Sequence, residues 1–311
     1  MIHWKKTYYL ALLLSLICSL NGQDLGIMYH WNFDASIYNP ASSGKFLPMS
    51  AFFMNRTQWT KVEGNPQTQI AGINMGFDNN NHGLGFMIFN QKMGPLRQTG
   101  SKFNYAFHIP MEDMYLSLGV AGHFYQFNVA YNEINLIHQE DPVFKDIENK
   151  LSGDATFGMY LYTKTLELGL AIPNLVAHKI KWIDDNQYGI LNNRRQYILS
   201  ATYPFEVQDL VVIKPELITA YTEGANIQAQ LGVKAILKEM FYLGTFFSTN
   251  QSGGFLFGGN YKSQYKLTYA FEIPLNSSRH YFSASHNIYL HIGLFNGKKY
   301  NVKITNKDLR Y

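Results

Sequence analysis

The sequence predicts an all-β fold, a transmembrane antiparallel β-barrel of about 14 strands. Three observations support this prediction. Apolar and polar residues alternate with a period of two along most of the chain. Aromatic residues make up 15% and charged residues only 15% of the chain, whereas about 25% of residues are charged in a typical soluble domain. Beyond the N-terminal region no run of about 18 apolar residues occurs, so strands must make any membrane crossing.

The first residues have the features of a secretory signal. Lys5 and Lys6 precede the apolar run Tyr8–Leu20, which is shorter than the roughly 20 residues that a membrane-spanning helix needs. We therefore assign residues 1–22 to a signal peptide. Cys18 is the only cysteine, so the mature chain is predicted to have no disulfide bond and no thiolate metal site.

The period-two alternation assigns side chains to the two faces of the predicted sheet. The inward face is expected to be polar or small throughout, and the outward face apolar. In the hairpin at residues 82–110, Gly83 and Gly85 are interpreted as the small residues that a strongly bent sheet requires. We assign three leucines to the lipid face: Leu118, Leu231 and Leu267.

Segmentation at Gly, Pro, Asn and Asp gives strands of the length expected for tilted spanning strands. The predicted spans are 47–57, 66–78, 82–91, 98–109, 114–127, 152–163, 164–172, 194–205, 209–221, 225–238, 239–249, 252–262, 264–274 and 281–293. The connections alternate between short turns and loops, of which 128–151 and 173–193 are the longest and 222–224 the one unusually short loop. Because short turns face the periplasm in outer-membrane barrels, we expect both ends of the mature chain there.

The barrel is predicted to occupy residues 47–293, between an N-terminal segment at 23–46 and a basic tail at 294–311. The N-terminal segment contains a cluster of turn-forming residues, and we expect it to fold into or near the lumen. Its candidate plug residues are Tyr38, Asn39 and Pro40. On the inward face, we expect three charged residues to form an internal network: Lys234, Lys266 and Glu272.

Residue patterns typical of catalysis are missing from the sequence. The histidines lack metal-site spacing, and Ser285 and His286 are strand neighbours that would face opposite sides of a sheet. The acidic pairs Asp184-Asp185 and Glu140-Asp141 are interpreted as solvated loop charge. A net charge of +4 without a basic block does not indicate nucleic-acid binding. We therefore expect no enzymatic activity, cofactor, metal or nucleic-acid partner.

The two long loops are the predicted partner-binding region, because loops of this size usually carry function. They contain apolar and aromatic residues of the kind that dominate interfaces. These candidates are Phe144, Ile147, Trp182, Ile183 and Tyr188. The alternative is that the loops fold inward and only cap the barrel.

Several segments together carry a resemblance to a known family. They are YNPASSG at 38–44, NRTQWTKVEGNPQTQ at 55–69, NHGLGFMIFNQKMGPL at 81–96, GMYLYTKTLELGLAIPNL at 158–175, IKPEL at 213–217 and SHNIYL at 285–290. In this order they resemble the PorP/SprF family of outer-membrane proteins, associated with type IX secretion and gliding motility in Bacteroidetes. The chain departs from the family pattern at Asn287, where an acidic residue is expected.

The resemblance implies a non-enzymatic outer-membrane barrel that helps to secrete or anchor a large surface adhesin through its C-terminal sorting domain. The implied partners are that adhesin, the periplasmic ring components of the secretion system and outer-membrane lipid. Two alternatives stay open on the sequence alone: a small-molecule porin or FadL-like channel for hydrophobic compounds, and an outer-membrane lipid hydrolase.

Overall fold

The computed structural model describes residues 34–45, 49–77, 81–130, 150–163, 165–177, 179–181, 190–207, 210–262 and 264–294. The predicted signal peptide, nearly all of the predicted tail and the five candidate partner-binding residues of the long loops lie outside these ranges. Within them, the strands form a closed antiparallel barrel and a separate two-stranded hairpin. None of the described helices has both the length and the apolar character needed to cross a membrane.

The described strands are β1 Met49–Thr57, β2 Gln67–Phe77, β3 His82–Met93, β4 Leu96–Met111, β5 Met114–Val129, β6 Lys150–Thr163, β7 Glu167–Ile172, β8 Lys179–Lys181, β9 Ile190–Asn192, β10 Gln196–Thr202, β11 Phe205–Val207, β12 Val211–Thr222, β13 Gln228–Leu237, β14 Phe241–Ser248, β15 Ser252–Tyr261, β16 Tyr265–Pro274 and β17 Ser285–Gly293. Short 3-10 turns occupy Ala35–Ile37, Pro40–Ser42 and Ser277–His280.

The barrel wall closes on itself. The first strand, β1, pairs antiparallel with the last, β17, and β10 pairs with both β7 and β12. The short strand β11 continues β10 in the same register on β12, with Thr202 opposite Glu216 and Phe205 opposite Ile213. Pro204 separates the two pieces, because proline cannot donate a hydrogen bond to a ladder. Closure satisfies the backbone polar groups, as a membrane-embedded sheet requires.

The predicted architecture is confirmed, and each of the 14 predicted spans overlaps one wall strand when β10 and β11 are counted as a single interrupted strand. Two details differ. The last strand begins at Ser285 rather than at residue 281, because residues 281–284 are irregular, and Ser283 and Ala284 accept hydrogen bonds from Lys61 and Thr60 in the loop between β1 and β2. The segment 222–224 is not the shortest loop, because Gly94-Pro95 alone joins β3 to β4. Gly94 has a φ of 56°, which glycine adopts without the strain that other residues meet.

The outward face of the wall is apolar, as expected. Leu118, Leu231 and Leu267 are 38%, 54% and 56% exposed, although burial of such side chains from water is favourable. On the opposite face, Lys102 and His108 are buried. This inverted arrangement is stable only where lipid surrounds the wall.

The inward face is not polar throughout, and the sequence expectation was wrong in this respect. A cluster of apolar side chains lines the lumen on β1 to β3 and β12 to β17, and includes Phe52, Met54, Ile70, Val212, Ile236, Tyr242, Phe246, Leu256 and Tyr289. A barrel interior that is filled by side chains excludes water, so apolar residues pack there as in a soluble core. The alternation distinguishes the two faces but does not reveal which inward positions are dry.

The strand connections divide between the two ends of the barrel. We call the end that carries the connections β2–β3, β4–β5, β6–β7, β11–β12, β13–β14 and β15–β16 the turn end, and the opposite end the loop end. We expect the turn end to face the periplasm. Because the only native cysteine lies in the predicted signal peptide, single cysteines can report the orientation.

A cysteine at Glu63, exposed at the loop end, is expected to react with a membrane-impermeant maleimide on whole cells, whereas one at Asp113, exposed at the turn end, is not. Both sites should react after the outer membrane is permeabilised. Labelling of Asp113→Cys together with protection of Glu63→Cys on intact cells would reverse the assigned orientation.

Candidate functional site

The lumen contains a plug, formed by residues 34–45. Its two 3-10 turns are each capped by the side chain that precedes them. The Oδ1 atom of Asp34 accepts a hydrogen bond from the Ser36 amide at 2.9 Å, and that of Asn39 accepts one from the Ala41 amide at 3.0 Å. Pro40 occupies the first position of the second turn, where its missing N–H costs nothing. The Asn-Pro-Ala sequence thus encodes the local shape of the plug.

The same asparagine attaches the plug to the wall. Asn39 is fully buried, and its Nδ2 atom donates to the carbonyl oxygens of Met159 on β6, at 3.1 Å, and Leu170 on β7, at 3.2 Å. The Ser117 hydroxyl on β5 donates to the Ala41 carbonyl at 2.6 Å. These contacts satisfy polar groups that are costly to bury unpaired.

On β4, the polar inward residues also bond to the plug. The Lys102 ammonium donates to the Ile37 carbonyl at 3.0 Å, and the Asn104 amide donates to the Ser36 carbonyl and the Ser43 hydroxyl, both at 3.0 Å. Nε2 of His108 lies 3.0 Å from the Ser43 carbonyl, so this nitrogen carries the proton. The polar inner face of β4 is therefore matched to a protein segment rather than to open water.

Glycines in the wall allow the plug backbone to approach closely. A Cβ atom on Gly83 would lie 1.9 Å from the Ser43 carbonyl oxygen, one on Gly119 2.3 Å from the Ala41 nitrogen, and one on Gly158 2.2 Å from Asn39 Oδ1. Gly85 likewise faces the plug, with the Ser43 hydroxyl 2.9 Å from its Cβ position. Bending of the sheet was therefore an incomplete explanation for Gly83 and Gly85, because contact with the plug also requires them.

A buried ion pair joins β1 and β16 across the lumen-facing surface of the wall. Arg56, which is 1% exposed, places Nη2 3.1 Å from the Glu272 carboxylate and donates from Nη1 to the Asn287 side-chain oxygen at 3.0 Å. Sequence reasoning identified Glu272 and Asn287 but missed Arg56. At Asn287, the amide oxygen accepts one arm of the guanidinium without adding negative charge.

A second ion pair connects the plug to the wall. Lys45 Nζ lies 3.0 Å from the Glu167 carboxylate and 4.5 Å from the ring centroids of both Tyr160 and Tyr162. The Tyr160 hydroxyl donates to the same carboxylate at 2.6 Å. Burial lowers the pKa of Lys45 to about 8, although the charge of Glu167 acts in the opposite direction. The ion pair and the two aromatic rings together hold the Lys45 ammonium against the wall.

The three charged lumen residues named from the sequence do not form one network. Glu272 pairs with Arg56, whereas Lys234 lies 3.5 Å from Glu216. Lys266 contacts the ring of Tyr242, with its Nζ 5.4 Å from the centroid. The register separates these residues, because β12 and β13 carry Glu216 and Lys234 while Glu272 lies on β16.

The candidate plug residues all lie inside the barrel. Tyr38 is 4% exposed and Asn39 is fully buried, and Pro40 is also buried. Tyr38 packs in an apolar cluster with wall residues on β7, β10 and β12, namely Ala171, Ile198, Ile218 and Ala220. No group of three or more potential metal ligands occurs among the described residues.

The sequence matches the family described as type IX secretion system membrane protein PorP/SprF over residues 29–292. Among solved structures, the Acinetobacter baumannii outer membrane protein Omp33 is similar at 8% identity and a TM-score of 0.45, over 80% of this chain and 98% of that chain. The Pseudomonas putida toluene transporter TodX has 9% identity and a TM-score of 0.45, over 83% and 92%. The KdgM porin has 10% identity and a TM-score of 0.41, over 79% and 99%. No curated protein matches the chain.

Similarities to solved structures at this level carry no argument about function. The family match and the closed barrel with an apolar outer wall together place the chain in the outer membrane.

The close contact between plug and wall predicts a cost for enlarging Gly119. A Gly119→Ala barrel should be less stable by about 1–3 kcal/mol, the usual cost of overpacking, because the added methyl meets the Ala41 backbone. Gly122→Ala is the matched control on the same strand, where a Cβ meets nothing within 4 Å. Thermal unfolding followed by heat-modifiable gel mobility measures both. Equal midpoints for the two variants would contradict the tight contact.

The buried pair predicts a second difference in stability. Glu272→Gln leaves the Arg56 guanidinium buried without its counter-charge, and removal of one partner of a buried pair costs about 3–5 kcal/mol. The control is Glu223→Gln, whose partner Arg195 lies 3.7 Å away in an exposed pair and for which about 0–1 kcal/mol is expected. Denaturant unfolding in bilayers compares them, and similar losses would show that the lumen around Arg56 is well hydrated.

Proposed function

The chain belongs to the PorP/SprF family of type IX secretion system membrane proteins, and on this basis we propose that it is a plugged, non-enzymatic barrel that helps to secrete or anchor a large surface adhesin. The adhesin would be bound through its C-terminal sorting domain. Family membership implies partnership with components of the secretion system. Within this proposal, those components are the periplasmic ring proteins, which would meet the turn end.

The observation that carries the proposal is the filled lumen. The plug occupies the part of the lumen next to β3 to β6, and the apolar cluster and the buried Arg56–Glu272 pair occupy the side next to β1 and β17. Inward residues such as Gln230, Ile218 and Ser248 are at most 1% exposed. A porin needs a water-filled lumen with polar walls, and these buried side chains argue against one.

A non-enzymatic role is supported by the position of the one candidate catalytic pair. Ser285 is buried on the inward face of β17, and the pattern of burial places His286 on the outward face. His286 contacts the outward Tyr269 hydroxyl. A nucleophile and a base must lie within hydrogen-bonding reach of each other, and these two side chains point away from each other across the wall.

Reconstitution tests whether the barrel is closed. Liposomes that contain the purified full-length chain are expected to swell in small sugars no faster than protein-free liposomes, because the plug and the apolar cluster fill the lumen. Liposomes with an open porin at the same density are the positive control. Swelling at the rate of that control would favour the porin alternative over the proposed function.

Partner binding is predicted at the long loops. Trp182→Ala with Tyr188→Ala should reduce co-purification of the surface protein severalfold, because interface hot spots are enriched in these aromatic residues. Heat-modifiable mobility and abundance in the outer membrane report whether the barrel still folds, and both should be unchanged. The exposed pair Tyr261→Ala with Tyr265→Ala at the turn end serves as the control. Undiminished co-purification would exclude these two loop residues as the binding site.

A further inference from the structure

We propose that the outer wall holds one phospholipid of the turn-end leaflet, with an acyl chain in a groove across β2 to β5 and the head group beside His82 and Tyr105. Lipid contacts the whole outward face of a membrane barrel, but this groove combines three features that favour one retained molecule. They are its volume, a gap in its floor and the polarity of its borders. The site depends on the wall alone and not on the proposed function.

The groove has a volume of about 450 Å³, which lies within the range of about 300–1,000 Å³ for small-molecule sites. Its outward side chains are apolar apart from the Tyr105 hydroxyl. The exposed ones are Ile73, Met75, Leu84, Phe103, Tyr105 and Val120. Register partners form two rows across the strands, one of Met75, Leu84, Tyr105 and Val120 and the other of Ile73, Phe86, Phe103 and Gly122. The shape and lining of the groove therefore suit an acyl chain.

Gly122 leaves a gap in the second row. It lies on β5 with Phe103 opposite it on β4 and Ala155 opposite it on β6, in unbroken register. A Cβ atom on Gly122 would meet nothing within 4 Å, so neither a bulge nor a contact within the described part of the chain requires a glycine there. Glycine inside a strand lowers stability and often marks the close approach of a ligand. The gap is therefore a position that a bound molecule can fill.

The border of the groove at the turn end is polar. The Tyr105 hydroxyl lies 2.9 Å from Nδ1 of His82, which is the first residue of β3. The His82 ring lies between its register partners Phe77 and Phe107, with centroid distances of 5.2 Å and 5.1 Å, and these rings hold it in place. Because an ionisable side chain is costly in hydrocarbon, the pair is expected at the level of the lipid head groups, where tyrosine is common.

The opposite border, towards the loop end, is mainly apolar. Ile88 and Phe124 are more than half exposed in the next outward row, on either side of Ser101. A head group on that side would place polar atoms against these two side chains. At the turn-end border, by contrast, the Tyr105 hydroxyl can donate to a phosphate or ester oxygen while it accepts from His82. Both borders are satisfied by a phospholipid of the turn-end leaflet, which we expect to be the periplasmic one.

Native mass spectrometry of the purified, delipidated barrel in neutral detergent tests the site. The probes are a phosphatidylethanolamine and a diacylglycerol with the same acyl chains. One phosphatidylethanolamine per barrel is expected to bind in excess of random adducts, and more tightly than the diacylglycerol. Gly122→Leu should weaken binding of both probes severalfold, because the added side chain fills the gap. Tyr105→Phe keeps the ring and removes the hydroxyl, so it should weaken binding of phosphatidylethanolamine but not that of diacylglycerol.

The matched control is Ala235→Leu, which adds a larger side chain at an outward position of β13 and should leave binding unchanged. An equal loss with Ala235→Leu would overturn the site, and so would unchanged binding by Gly122→Leu. Binding of diacylglycerol as tight as that of phosphatidylethanolamine would overturn the role of Tyr105 and His82. Heat-modifiable mobility confirms that each variant is folded, and Tyr105→Phe provides the test if Gly122→Leu is not.

The position of the bound lipid is tested separately. A phosphatidylethanolamine with a photoactivatable acyl chain, added in equimolar amount, is expected to attach to peptides of β4 and β5 that contain Phe103 and Gly122. Attachment spread evenly over the outward strands would show contact with bulk lipid only and would overturn the site. Barrel dimers cross-linked through the same two peptides would identify a second copy of the chain as the occupant instead of a lipid.

Discussion

The contact between the plug and the barrel wall is the interaction on which the rest of this structure depends. A 14-stranded wall encloses more space than inward side chains of ordinary size fill. Without the plug, Lys102, Asn104 and His108 would lose the hydrogen-bond partners that they have in the lumen. The plug supplies backbone carbonyls and hydroxyls at 3.0 Å to all three. The wall has glycines at the positions where the plug backbone contacts it, and larger residues would not fit there. Plug and wall therefore specify each other.

The lumen combines two ways of excluding water. Next to β3 to β6 the plug contributes polar contacts, whereas next to β1 and β17 the inward side chains are apolar and surround Arg56 and Glu272. A buried ion pair stabilises a structure little compared with well-packed apolar residues, but breaking one side of it is costly. Such a pair favours one packing arrangement over others. Asn287 contributes to this arrangement, because its amide oxygen accepts a hydrogen bond from the second arm of Arg56.

The wall was predictable from the sequence because its strands are determined by residues that are close together in the chain. Period-two alternation and turn residues determine where strands begin and end, and contact with lipid stabilises the apolar outward face. The predicted spans overlap the wall strands for this reason. The lumen was less predictable because it depends on register. Whether Lys234 meets Glu216 or Glu272 follows from which strands are neighbours and how they are staggered. Arg56 was missed because its inward position in an otherwise ordinary strand gives no local signal. Gly83 and Gly85 were noticed in the sequence as small residues, but the reason for their size is contact with the plug.

A filled lumen restricts where a barrel of this kind can act. Many inward side chains of the described strands are nearly fully buried, which argues against a wide path for solutes and favours interactions at the outer wall and at the two ends of the barrel. The outer wall is apolar and suited to lipid. Contacts with other proteins are therefore expected at the two ends of the barrel rather than through its lumen.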